Sequence, residues 1–188
     1  RAPPRAAKAI GLLAAYFMFC LTRNLFDRAA ASRSALLLAV LDEATDIKTF
    51  RLARPEGLDF APGQFVAVRV WVNGKPHVRC YSISSSPDAL GYLEISIRRQ
   101  GLVSSTLHAT VRTGSLLSIN RPAGRFVYPS GDDRPIALVA GGIGITPLLS
   151  MMRYAITSDP TRPLTLLYSA RSERSEEHTS ELQSQRLI

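Results

Sequence analysis

Residues 135–155 constrain this chain more than any other stretch. A continuous apolar run, Pro135-Ile136-Ala137-Leu138-Val139-Ala140, passes directly into Gly141-Gly142-Ile143-Gly144-Ile145-Thr146-Pro147 and then into the apolar segment 148–155. An apolar run without alternation is the pattern of a parallel strand buried on both faces. Glycines let a backbone approach a ligand closely, and a helix with proline in its first turn offers an anion its free amides and the positive end of its dipole. Strand, glycine turn and helix in that order predict a pyrophosphate cradle in an open α/β sheet. After Asp159-Pro160, a second buried strand is expected at 164–168, leading into Ser169-Ala170-Arg171. The carboxyl end of such a strand is where the adenosine half of a dinucleotide sits.

Upstream of Gly131 the periodicity is that of short strands. Residues 35–41 and 47–52 are β-prone runs separated by Asp42-Glu43-Ala44-Thr45-Asp46, which reads as a hairpin with a longer loop. Ala61-Pro62-Gly63-Gln64 is a turn that opens a strand at 65–72, where Val66, Val68, Val70 and Val72 share one face. Asn73-Gly74 then gives the strongest short hairpin signal a sequence offers. Further strands are expected at 79–84, 92–98, 116–119 and 125–128. Many short strands at close spacing predict an all-β antiparallel barrel, so the fold class is such a barrel followed by a truncated Rossmann-like α/β domain.

With 188 residues, 46% of them hydrophobic, the chain has apolar material for one full domain and part of a second. The net charge is +8, but the 23 basic residues are spread along the chain and form no nucleic-acid-binding arm. Cys20 and Cys80 are far apart and lack metal-ligand spacing, which argues against a disulfide framework and a cysteine-held cluster.

Both ends look cut. The first residue is Arg1, not Met, and residues 174–184 resemble the translation of a sequencing adapter, so 174–188 are expected to be a non-native tail. Residues 10–22 form an apolar run, flanked by Lys8 and Arg23, that is short for a membrane span of roughly 20 residues. Three readings stay open for this N-terminal apolar helix: a membrane-surface helix making contact through residues 9–22, the remnant of a longer membrane region, or a helix packed on the barrel. The expected organisation is 1–33 apolar helix and linker, 34–130 barrel, and 134–173 nucleotide-binding domain.

The chemistry begins at Arg79-Cys80-Tyr81-Ser82. An arginine two residues before a tyrosine on a strand puts both side chains on one face, where a guanidinium can fork a phosphate while a phenol ring lies against a planar ligand. Gly101-Leu102-Val103-Ser104-Ser105 offers a tight turn, with Ser104 or Ser105 capping a short helix whose amides can meet an anion. Arg121-Pro122-Ala123-Gly124-Arg125-Phe126 reads as a corner into the last barrel strand.

Taken together, Pro62-Gly63-Gln64-Phe65, Arg79-x-Tyr81-Ser82, Gly101-x-x-Ser104, Pro122-x-Gly124-x-Phe126 and Gly141-Gly142-x-Gly144-x-Thr146-Pro147 resemble, in order, the motifs of the ferredoxin–NADP reductase superfamily. The wording is similar to bacterial reductases of the flavohaemoprotein and oxygenase-reductase type. The resemblance covers residues 34–173 and implies FAD and NAD(P)H as cofactors. It implies that Arg79 binds a flavin phosphate, Tyr81 stacks on the isoalloxazine, and Ser82, the implied catalytic residue, hydrogen-bonds near its N5, with Cys80 between them. Ile97, Arg98 and the turn of Gly101, Leu102, Val103, Ser104 and Ser105 would hold the pyrophosphate. Gly141, Gly142, Gly144, Ile145, Thr146 and Pro147 would position the nicotinamide, and Arg171 would lie on the adenosine side without deciding between NADH and NADPH.

The implied activity is flavin-dependent oxidoreduction, passing electrons from NAD(P)H through FAD to a ferredoxin, oxygenase or haem domain. Alternatives are the cytosolic half of a membrane flavocytochrome and a flavin-binding module inactive as a dehydrogenase. The expected location is the cytoplasm, with residues 9–22 allowing attachment to the cytoplasmic face of the inner membrane.

Overall fold

The computed structural model describes residues 32–131 and 133–170; the N-terminal apolar segment, Arg171 and the tail lie outside them. The chain runs through β1 (Arg33–Ala44), β2 (Ile47–Ala53), β3 (Phe65–Val72), β4 (Lys75–Ser82), β5 (Tyr92–Arg98), helix α1 (Leu102–Thr110) and β6 (Leu116–Ile119). Then follow β7 (Ile136–Gly141), a 3-10 turn (Gly142–Ile145), helix α2 (Thr146–Ser158) and β8 (Leu164–Ser169).

Strands β1 to β6 form one antiparallel sheet in the order β4-β3-β6-β1-β2-β5. Its inward residues, among them Leu37, Phe50, Leu52, Val66, Val68, Leu93, Ile95 and Ile119, form one buried core with Leu107 of α1. The sheet is not closed by a continuous ladder. Edge strands β4 and β5 meet through a bridge between Ile83 and Ile95 and a bond from Ser84 N–H to the Glu94 carbonyl at 2.8 Å. Strands β7 and β8 pair in parallel, and α2 packs on them in a second core of Tyr128, Leu138, Leu148, Met151, Met152 and Ala155. Among the described residues, no helix is long and apolar enough to cross a membrane.

Several strand limits depart from the sequence reading. Strand β1 continues through Asp42-Glu43-Ala44 and pairs Ala44 with Ile47, so the first hairpin is tight, with bulges absorbing the register. Asn73 and Gly74 take φ of 50° and 73°, the doubly left-handed turn that suits a two-residue hairpin, and β4 therefore starts at Lys75 instead of Arg79. Residues 125–128 are not a strand. Ala123 bridges Phe65, and beyond it the Gly124 carbonyl accepts from Gln64 Nε2 at 3.2 Å and Tyr128 N–H donates to the Pro62 carbonyl at 3.0 Å, with no strand ladder. Strand β7 is not buried on both faces: Leu138 packs under α2, whereas Val139 is 70% exposed and its partner Leu167 57% exposed.

One contact fixes how α2 sits against the sheet. At Gly63, with φ of 101°, a Cβ would stand 2.3 Å from the Phe126 carbonyl oxygen and 2.4 Å from the Met151 Cε. Any side chain there meets a left-handed backbone and a rigid carbonyl together. Gly63→Ala is expected to lower stability by about 2–4 kcal/mol, read from the urea midpoint. Gly57, also left-handed but open around its Cα, serves as the comparison, where Gly57→Ala should cost only about 1 kcal/mol.

Candidate functional site

Strand β4 carries the arginine–tyrosine pair on an edge of the sheet. Arg79 stands opposite Val68 and Tyr81 opposite Val66 in the ladder with β3, which puts both on the same side of the strand. The Arg79 guanidinium is exposed, its Nη1 donating only to the neighbouring Val78 carbonyl at 2.8 Å, so it can turn toward an anion without breaking a tertiary bond. Tyr81 is half-buried against the sheet core, and burial pushes its phenol up to about 12, against the opposing influence of Arg79. The phenol therefore stays neutral at physiological pH. Burial likewise pushes the Cys80 thiol up to about 11.

Arg98 ends β5, opposite Ile47, and helix α1 starts four residues later. Gly101 is the residue that caps this helix, with φ of 82°, and no side chain caps its first turn. The expectation that Ser104 or Ser105 would cap it is corrected. The Ser104 hydroxyl donates to the Gln100 carbonyl at 2.8 Å and accepts from Gln100 N–H at 2.7 Å, tying the helix back to the preceding turn. Val103 and Ser104 are buried, and Leu102 is 60% exposed. An uncapped first turn with no acidic residue retains the partial positive charge that attracts an anion. Ile97 is buried, and its carbonyl accepts from His108 Nε2 at 2.8 Å, which holds α1 on β5.

The glycine turn reaches the same neighbourhood. Gly142 has φ of 49°, and a Cβ on it would stand 3.4 Å from Arg98 Nη1. Arg98 Nε is buried and lies 3.1 Å from Asp46 Oδ2, an ion pair that is not aligned as a hydrogen bond. The Asp46 pair holds the Nε side of the guanidinium, and Nη1 stands beside a glycine that leaves room for it, an arrangement that fits a phosphate-bearing ligand. Gly141 and Gly144 are exposed, and Ile145 and Thr146 are buried. The Thr146 hydroxyl donates to the Ile143 carbonyl at 3.1 Å, and Pro147 occupies the first turn of α2. No side chain caps α2 either. Tyr168 of β8 braces the turn, its hydroxyl donating to the Gly142 carbonyl at 3.3 Å.

The structure thus brings Arg98 and Gly142 together, with α1 starting four residues beyond Arg98. It puts Arg79, Cys80, Tyr81 and Ser82 on the edge strand whose continuation, 83–86, lies under α2. Sequence reasoning carried the strand to Ser84 but missed its contact with α2. Ser150 Oγ donates to the Ser85 carbonyl at 2.7 Å, and Arg153 Nη1 donates to the Ser84 carbonyl at 2.9 Å. Thr157 and Ser158 bond Asp88 Oδ2 at 2.7 and 2.9 Å. Residues 150, 153 and 157 share one helix face, so a polar stripe within an otherwise apolar segment was the available signal.

The sequence belongs with known oxidoreductases. Residues 37–128 match the family described as Oxidoreductase FAD-binding domain, and residues 138–186 that described as Oxidoreductase NAD-binding domain. The second match runs through the segment that resembles adapter sequence. The chain belongs to the ferredoxin–NADP reductase-like superfamily, and the cofactors of its two domains are FAD and a nicotinamide dinucleotide. It is 37% identical over 139 residues to a flavohemoprotein of Bordetella pertussis, covering 69% of this chain and 35% of that protein. The chain therefore spans about a third of the length of this curated relative. Its fold is similar to the FAD/NAD-binding domain of a nitric oxide dioxygenase from Vibrio cholerae, with TM-score 0.75 and 27% identity over 83% of this chain and 71% of that one. A phthalate dioxygenase reductase matches with TM-score 0.72 and 25% identity, over 83% of this chain and 49% of that one.

The raised Cys80 thiol makes a direct test of the folded site. At pH 8, iodoacetamide should alkylate Cys80 on the order of a hundredfold more slowly in the folded chain than in denaturant, because so little thiolate is present. Peptide mass spectrometry separates it from Cys20, and equal rates in the two conditions would contradict the partial burial of the Cys80 thiol.

Proposed function

We propose that this chain is the reductase part of an electron-transfer protein, taking a hydride from NAD(P)H and delivering electrons to a haem or iron–sulfur acceptor. The observation that carries the reading is the approach of the Arg98 guanidinium to the left-handed Gly142, with an uncapped helix starting four residues beyond Arg98. The proposed division is a flavin-binding unit at 34–130 and a nucleotide-binding unit at 134–173. Support for the acceptor comes from the relatives: one is a flavohemoprotein, and another is described as transferring electrons from pyridine nucleotides to [2Fe-2S]. The flavohemoprotein likeness also favours a cytoplasmic protein over the membrane flavocytochrome reading, which draws on residues 9–22 outside the described chain.

When bound, FAD supplies the hydride acceptor and the relay that lets electrons leave singly or in pairs. Arg79 pairs with a flavin phosphate by a charge-assisted fork, and the neutral Tyr81 ring lies against the isoalloxazine. The Ser82 hydroxyl donates a hydrogen bond at the flavin edge. Arg98, Gly101, Ser104 and Ser105, with the backbone of Leu102 and Val103, hold the pyrophosphate. Gly141, Gly142 and Gly144 keep the backbone low over the nicotinamide, and Ile145, Thr146 and Pro147 start the helix that orients it.

Purified full chain should carry FAD, and its absorbance should bleach on anaerobic addition of NADH or NADPH. Arg79→Met is expected to weaken FAD binding by about ten- to a hundredfold. Ser82→Ala is expected to retain FAD and slow its reduction by about tenfold in stopped flow. A colourless preparation that does not take up added FAD would overturn the proposal, as would unchanged reduction in the Ser82 variant.

A further inference from the structure

Glu94 lies on the outer side of β5, with its side chain only 6% exposed although the sheet core is on the other face. Both carboxylate oxygens are engaged. Oε1 accepts from Arg51 Nε and Nη2 at 2.9 and 2.8 Å, and Oε2 accepts from Arg153 Nη1 at 3.0 Å. Arg51 stands directly opposite Glu94 in the β2–β5 ladder and also lies 4.6 Å from the centre of the Tyr92 ring. The hydrogen bond from Arg51 to Glu94 raises the guanidinium's own pKa, so that partner is permanently charged. Arg153 comes from α2, two turns beyond Thr146, and the same Nη1 reaches the Ser84 carbonyl at 2.9 Å.

The main chain of Glu94 completes the network. Its N–H donates to Ser85 Oγ at 3.0 Å, and its carbonyl accepts from Ser84 N–H at 2.8 Å. One residue therefore joins three things: strand β5, which ends in Arg98; the segment that continues β4 beyond Ser82; and the helix that begins at the glycine turn. A buried carboxylate held by two arginines from different elements has a fixed position, because moving either arginine leaves charge without a partner.

We propose that Glu94 is a positioning residue, acting through Arg153 to set the placement of the 141–147 turn relative to Ser82, and hence the alignment of nicotinamide and flavin. This rests on the function proposed above. The glutamate touches neither cofactor. Its role is geometric: the Arg153 side chain transmits the position of the sheet to α2, and α2 carries the turn. Hydride transfer is sensitive to such placement, a displacement near 1 Å costing up to about a hundredfold in rate.

The test compares full-length wild type with Glu94→Gln, Arg153→Met and the double variant. Arg153→Met leaves the Arg51–Glu94 pair intact, so a folded protein is available even where Glu94→Gln is unstable. In the FAD-loaded protein, each single variant should slow flavin reduction by about tenfold, with the nucleotide Kd within about twofold, since no ligand contact is removed. The long-wavelength absorbance of the stacked nicotinamide–flavin pair should fall in parallel, a change that a purely structural role would not produce. The double variant should be no slower than the worse single one, because both remove the same link. Amide hydrogen exchange on the cofactor-free chain supplies an independent reading: exchange at 83–88 and 146–158 should rise together in both single variants, with 33–53 unchanged. Wild-type reduction rates in Arg153→Met, or exchange that rises in only one of the two segments, would overturn the role of Glu94. Failure of the wild type to be reduced at all would instead overturn the proposed function, and the exchange experiment would still decide whether the link exists.

Discussion

Ser84 and Ser85 are almost wholly buried where the chain leaves β4, and their carbonyl groups must find partners there. Helix α2 supplies them, through Ser150 and Arg153. This is the contact on which the relation of the two cores depends. An apolar seam would have allowed the helix to slide along the sheet, whereas directional bonds to two successive carbonyls fix both its height and its rotation. Gly63 lets Met151 approach on the other side of the same helix. The docking is thus steric at one point and polar along the rest.

Charge is used in the same economical way. Among the described residues, the ion pairs at the sheet's outer surface, such as Lys48–Asp42 with Asp42 74% exposed, contribute little to stability. Glu94 differs because it is withdrawn from water and bonded on both oxygens. Arg51 pairs with one of its oxygens from the neighbouring strand and Arg153 bonds the other from α2, so docking of α2 completes its bonding. A second polar hub, Arg162, donates to the Arg134 and Pro129 carbonyls at 2.9 and 2.6 Å, holding the connection between the two cores against the start of β8.

What could be read in the sequence was whatever depended on neighbours along the chain. The limits of β3, β5 and β6 follow from alternation, and the Asn73-Gly74 turn follows from the two left-handed positions it needs. Glycine turn and helix at 141–158 were visible because each step constrains the next. Some failures are local, as where Ser104 bonds Gln100 instead of capping its helix, and others involve pairing across the sheet. Strand β4 begins early because β3 is already there to template it, and 125–128 fails as a strand because, past Ala123, its main chain pairs with no strand edge. Val139 is exposed although its run is as apolar as that of a central strand, since β7 is covered on one side only among the described residues. Of the candidate site, the residue types were legible, but the meeting of Arg98 with Gly142 was not: 44 positions separate them, and no local pattern records the approach.

The open seam of the sheet has a physical reason that bears on the site. Strands β4 and β5 come together at Ile83 and Ile95 and at Ser84 and Glu94, beyond the arginine–tyrosine pair and not alongside it. Closing the ladder over Arg79 and Tyr81 would bring β5 against that edge and cover the exposed Arg79. A sheet with exposed edge groups ordinarily invites pairing with another chain. Here the seam is pinned at one end, by a bridge and by the Glu94 network, so the edge stays apart at the other without fraying. The Glu94 network pins the seam at the end where α2 docks, while Arg79 stays exposed on the stretch of β4 that β5 does not pair.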